Sequence, residues 1–212
     1  MQHLVRPRRP VLAAMLVAAV AALAGFPASR PADAGPPQPS PFPVRWELDF
    51  DAGPLRLYLD PAEQTAWWYF TYQITNRTQR DRVWAPDLVL YTDAGEILDS
   101  GDAVPTRITE AIRGLLGDEL LETQSEIIGD LLQGPEHARD GLAVWPAGDL
   151  AVNELTLFVG GISGETARVR HPRTGQQFIL RKTLQRDYLV PGAADTRLNQ
   201  PIELVEERWV MR

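Results

Sequence analysis

The chain has 212 residues, a formal net charge of −7, 44% hydrophobic residues and 23% charged residues. That length is enough to bury a sizeable core, and the acidic balance argues against general nucleic-acid binding. There is no cysteine, which excludes disulfides, thiolate metal sites, cysteine nucleophiles and a cysteine-linked lipid anchor.

Arg6, Arg8 and Arg9 precede an apolar or small-residue run over Val11–Phe26, closed by Pro27 and followed by Ala32-Asp33-Ala34. This order of charge, apolar run and small residues predicts a signal peptide over residues 1–34, cleaved after Ala34. The sixteen-residue run is short for a bilayer span, so contact with a membrane is expected only if the segment is retained. The chain is therefore expected to be exported, to the periplasm, the cell envelope or the outside. Residues 35–43 are proline-rich, which predicts an extended spacer.

Val44–Phe50 and Pro54–Leu59 are expected as two strands around an Asp51-Ala52-Gly53 turn. The aromatic run Trp67-Trp68-Tyr69-Phe70-Thr71-Tyr72 predicts a central strand over 66–76. Alternation places Trp68, Phe70, Tyr72 and Ile74 on its core face and Trp67 on the other. Val83–Thr92 is the next predicted strand, turned by Asp93-Ala94-Gly95 into Glu96–Asp99.

Ile108, Ile112, Leu115 and Leu116 fall at helical spacing, with Thr106 as the expected N-cap and Gly117 as the stop. Leu120-Leu121, Ile127-Ile128 and Leu131-Leu132 predict a second helix on one apolar face, with Thr123–Glu126 as a capping box inside it and Gly134-Pro135 at its end. Beyond 141 the strand pattern returns. Strands are expected at Gly141–Trp145, Asn153–Gly160, Glu165–His171, Gln176–Val190 and Pro201–Met211. These elements predict a mainly-β, immunoglobulin-like β-sandwich over 44–212, with a two-helix insertion at about 105–133.

Residues 74–99 carry Ile74-Thr75-Asn76-Arg77-Thr78, a spacer, and then Leu88-Val89-Leu90-Tyr91-Thr92-Asp93-Ala94-Gly95-Glu96-Ile97. This pattern resembles the FxLYD-type immunoglobulin-like modules of exported bacterial proteins. Those share a strand ending in Thr-Asn, a spacer, a strand ending near Leu-Tyr-Asp and a glycine hairpin. Leu88 stands in the place of the phenylalanine, and Thr92 separates Tyr91 from Asp93. The resemblance implies the fold and says nearly nothing of activity. The whole chain also looks like uncharacterised secreted bacterial proteins, a likeness that assigns no function.

Catalytic and metal-binding signals are sparse. Gly160-Gly161-Ile162-Ser163-Gly164-Glu165 lacks the spacing of a nucleophile elbow and is expected as a β-hairpin turn. His137 and His171 are expected in loops. Glu136-His137-Ala138-Arg139-Asp140 and Asp99-Ser100-Gly101-Asp102 match no metal motif and are expected as polar turns. No catalytic residue, metal ligand or cofactor site is assigned.

Charge is more informative. Residues 93–140 hold twelve acidic and three basic residues, whereas 165–190 hold six basic residues against Glu165 and Asp187. Arg168, Arg170, Arg173, Arg181 and Lys182, with Trp67, are the candidate binding residues. The expected partner is an envelope protein or an anionic glycan, with no nucleic acid. Alternatively, the outer face of this hairpin is simply paired with Glu203, Glu206 and Glu207. The leading functional expectation is an exported, non-catalytic binding or structural module of the bacterial envelope. The alternatives are a carboxylate-based hydrolase of envelope polymers and a self-assembling envelope component.

Overall fold

A computed structural model of the chain describes residues 35–192 and 194–212. The expected signal peptide, residues 1–34, lies outside the described residues. In chain order the elements are β1 (Asp49–Leu59), β2 (Ala66–Asn76), β3 (Arg82–Trp84), β4 (Asp87–Thr92), β5 (Ile97–Asp99), α1 (Thr106–Leu116), β6 (Glu122–Thr123), β7 (Gly129–Leu131), β8 (Gly134–Pro146), β9 (Glu154–Gly160), β10 (Thr166–Arg170), β11 (Gln177–Leu189) and β12 (Glu203–Met211). The first sheet has the order β1-β2-β8-β6. The second runs β5-β4-β9-β11, with β12 on the far edge of β11, while β3 and β7 form a small separate pair. At the start of β11 the Lys182 N–H donates to Glu165 and the Arg181 N–H to Arg212. Successive N–H groups point to opposite edges, so β10 follows β9 along one edge of β11 and β12 occupies the other.

Strand β2 organises the first sheet because both of its faces are apolar. Trp68, Phe70, Tyr72 and Ile74 enter a core shared with Leu88, Leu90, Leu155 and Leu157 of the second sheet. The chain is therefore mainly β, with two sheets layered across one core as in a β-sandwich. On the other face, Trp67 and Tyr69 meet Leu142 and Val144 of β8 under Ile108 and Ile112 of α1. Full burial of each such side chain stabilises by roughly 1.5–3 kcal/mol. Tyr72 pairs with Gly141 across β2 and β8. A Cβ at Gly141 would lie 2.2 Å from the Tyr72 ring, so only glycine lets that ring lie over the neighbouring strand.

Helix α1 ends in a Schellman motif. Gly117 is left-handed, its N–H donates to Gly114, and the Asp118 N–H donates to Arg113. At the other end Pro105 occupies the N-cap position without a side-chain cap, so Thr106 is the first helical residue and not the cap.

Several expectations are corrected. Among the described residues the insertion contains one α-helix, not two. The segment 120–132 forms β6, a single turn and β7. Leu121, Ile127 and Leu131 are buried, while Leu120, Ile128 and Leu132 are exposed, so the doubled apolar pairs do not share one face. The Thr123 N–H does donate to the Glu126 carboxylate at 2.7 Å, as the capping box expects. The turn stops because Gly129 opens the backbone into pairing with β3.

Asp51-Ala52-Gly53 is a bulge inside β1, not a turn between strands. Gly53 sits where a Cβ would lie 2.4 Å from the Thr71 hydroxyl. Pro86 lies between β3 and β4 and divides the strand expected over 83–92. Residues 160–165 are not a hairpin turn either. They carry the chain from β9 to β10 along the same edge, with Ile162 buried and Ser163 bridged to Glu47. His137 and its acidic neighbours lie in extended β8, which sends alternate side chains to opposite faces.

Candidate functional site

The β10–β11 hairpin extends beyond the core as a two-stranded arm. No residue from Thr166 to Arg181 is buried, whereas Lys182, Thr183 and Leu184 just beyond it are. The turn at its tip is fixed by His171. Its N–H donates to Gln176, and its Nδ1 accepts from the N–H groups of Arg173 and Thr174 at 3.3 and 3.2 Å. Gly175 supplies the left-handed residue, with φ of 70°.

The register separates the arm into two faces. Thr166 opposes Arg181, Arg168 opposes Ile179, and Arg170 opposes Gln177. Arg168, Arg170 and Arg181 therefore share one exposed face with Ile179, which is 63% exposed. Ala167, Val169, Phe178 and Leu180 make up the other face. Arg173 is exposed at the turn. Arg170 donates to the Gln177 side-chain oxygen from Nε and Nη2, at 3.2 and 3.1 Å in the amide orientation that suits both groups. Among the described residues none of these four arginines meets a carboxylate. The expected pairing of the 165–190 segment with the last strand is made at Arg186, which meets Glu207, but not by the four arm arginines, and Glu206 binds Arg208.

Lys182 and Trp67 stand apart from this face. Lys182 is 1% exposed and points to the inner side of β11. Its ammonium donates to Glu47 at 2.9 Å and to the Ser40 carbonyl at 3.0 Å, and lies 3.8 Å from Glu165 and 4.5 Å from the centre of the Trp209 ring. The proline-rich segment is thereby anchored at Ser40, whose N–H also donates to Glu165. Trp67 is buried beneath α1, and its indole N–H donates to Thr65.

Arg186, one of the six basic residues counted in 165–190, is a buried cation that the charge count did not set apart. It shares the inner parity of Phe178, Leu180, Lys182, Leu184 and Tyr188, so alternation along β11 already marked a cation inside the core. Arg186 is 2.8 Å from Glu207. Burial pushes the neighbouring Tyr188 phenol up to about 12, against the pull of the Arg186 charge.

A second feature is a cavity of about 420 Å³ beneath α1. Ser100 enters it from the loop after β5, Thr109 and Arg113 from the helix, and Gln124 and Glu126 from the turn after β6. The Thr123 N–H and the Arg113 guanidinium hold the Glu126 carboxyl below the ordinary carboxylate range.

No protein-family model, curated protein or solved structure matches this chain.

Proposed function

We propose that the chain is an exported, non-catalytic binding module of the bacterial envelope, built on an immunoglobulin-like sandwich, that docks an anionic partner through the β10–β11 arm. One observation carries this reading: Arg168, Arg170 and Arg181 share an exposed face and meet no carboxylate among the described residues. A guanidinium presents a planar fork of donors that matches carboxylate, sulfate and phosphate groups. Three such forks on a flat ribbon suit an extended acidic ligand. Ile179, exposed among them, adds an apolar contact. The immunoglobulin-like assignment rests on the two layered sheets, antiparallel except where β6 joins β8, and on the β4–β5 hairpin at Asp93-Ala94-Gly95.

The test is capture from envelope extract by the wild-type chain and by the Arg168/Arg170/Arg181→Glu variant, side by side. A specific partner retained by the wild type and lost by the variant supports the reading. Treating the extract with protease first separates a protein partner from a glycan. Equal capture by both chains, or none by either, argues against it.

Self-assembly is the second reading. The outer edge of β12 has no neighbouring strand among the described residues, and it carries exposed Leu204 and Val205. Oligomers that dissociate at high salt would favour docking of the basic arm on the acidic 93–140 segment of another copy.

A further inference from the structure

A sheet edge leaves a row of unpaired N–H and C=O groups, and most edge strands of this fold are covered or short. Along β1, Asn199 and Ile202 donate their N–H groups to the Leu57 and Leu55 carbonyls. Strands β3, β5, β6 and β7 are two or three residues long, and β10 has five. β12 differs. It has nine residues, and no strand lies on its outer side among the described residues. Its residues 203–208 are exposed and 209–211 half-buried.

Pairing with β11 dictates which backbone groups of β12 are free. Arg181 and Arg212 exchange both backbone hydrogen bonds, at 2.6 and 3.0 Å. Alternation from there turns the N–H and C=O of Met211, Trp209 and Glu207 to the open side. A bulge at Val205 interrupts the strand, so 206–212 is the straight stretch on offer.

Two copies related by a two-fold axis normal to the sheet would pair antiparallel and show the same face. Each residue then meets one whose number differs by an even count. Centred on Trp209, the pairing uses the whole straight stretch. Trp209 meets Trp209 and Glu207 meets Met211 in hydrogen-bonded positions, Arg208 meets Val210, and Glu206 meets Arg212 at both ends. Centring on Glu207 runs into the bulge, and centring on Arg208 sets that charge against itself. We propose that the chain forms a closed two-fold dimer by pairing β12 with β12 of a second copy about Trp209. Backbone bonds carry the affinity, and the Glu206–Arg212 contacts fix the register. This inference rests on the self-assembly reading and does not use the arm arginines.

The test begins with light scattering on the chain at high protein concentration. The expected result is twice the chain mass and no larger species, persisting at high salt and in the Arg168/Arg170/Arg181→Glu variant. The sequence has no cysteine, so introduced thiols report the register alone. Arg208 and Val210 would form a non-hydrogen-bonded pair with Cα atoms about 4.5 Å apart, within the span of a disulfide. On mild oxidation, a mixture of Arg208→Cys and Val210→Cys chains should cross-link about tenfold faster than either chain alone. If a cysteine chain fails to fold, Glu206→Arg replaces the pair. It should weaken the dimer by about tenfold, and mixing it with Arg212→Glu should restore the dimer. A monomeric wild type overturns the proposal. So do cross-linking of Arg208→Cys alone as fast as the mixture, a dimer indifferent to Glu206→Arg, and an oligomer lost at high salt or with the arm charges. A monomer that still captures its envelope partner overturns the dimer and leaves the arm reading standing.

Discussion

In the body of the molecule Arg107, Arg113, Arg139, Arg186 and Arg208 each meet a carboxylate, whereas Arg168, Arg170, Arg173 and Arg181 on the arm meet none among the described residues. The difference follows from where the chain puts them. Arg139 reaches from β8 across Glu122 to the carbonyls of Glu126 and Ile127, and so ties the 122–127 turn to the first sheet. The arm arginines project from a ribbon that carries no acidic residue between Thr166 and Arg181. At these body positions charge ties elements together, and on the arm it meets no carboxylate among the described residues.

The largest effect should come from breaking a body cation. Lys182→Ala leaves Glu47 without its ammonium and opens the contact with Trp209. Removing one member of a buried pair typically costs 3–5 kcal/mol, and because Glu47 is partly exposed the expected loss is about 3 kcal/mol in a urea melt. A loss below about 1 kcal/mol would mean that the ammonium contributes little to the body.

The Asp60–Arg107 pair gives a smaller, pH-dependent effect. The Arg107 hydrogen bond holds the Asp60 carboxyl below its ordinary value of 3.8. A depressed carboxylate contributes stability that is fully present above its unfolded pKa and is lost as pH falls through the folded one. Stability from this pair should therefore stay level from pH 7 to about pH 4 and drop below it. Asp60→Asn should remove that part of the acid sensitivity. An unchanged acid limb in the variant would remove the pair from the account.

The arm should show the smallest effect on stability. Each of Arg168→Glu, Arg170→Glu and Arg181→Glu should change the unfolding free energy by no more than about 0.5 kcal/mol, as for exposed sites without a charged partner. A larger loss would show that these side chains support the fold, and the contrast with the body would fail.

Much of this contrast was legible in the sequence. Alternation through Trp67–Ile74 separated the two faces of β2 correctly, but it did not show that the second face is also buried, so Trp67, a candidate binding residue, proves to be core under α1. The Asp93-Ala94-Gly95 turn and the Gly117 helix stop were equally direct, since each needs a left-handed glycine. The 120–132 segment misled because its apolar pairs fit a helix and a strand–turn–strand path equally well. Tertiary pairing of β7 with β3 decided it, and spacing alone does not encode that. On the arm, parity separated the faces of Arg168 and Lys182, but a list of basic residues merged them. The cavity was not legible, because Ser100, Arg113 and Gln124 are brought together only by the packing of α1 on the sheet.

The most direct test of the central claim is retention on immobilised heparin, a polyanion, at low ionic strength. A chain of net charge −7 has no overall reason to bind a polyanion, so retention must come from a local basic surface. The account predicts that the wild type is retained and elutes as salt rises, and that the Arg168/Arg170/Arg181→Glu variant flows through with an unchanged melting temperature. Wild type in the flow-through, or equal retention of both chains, would contradict it.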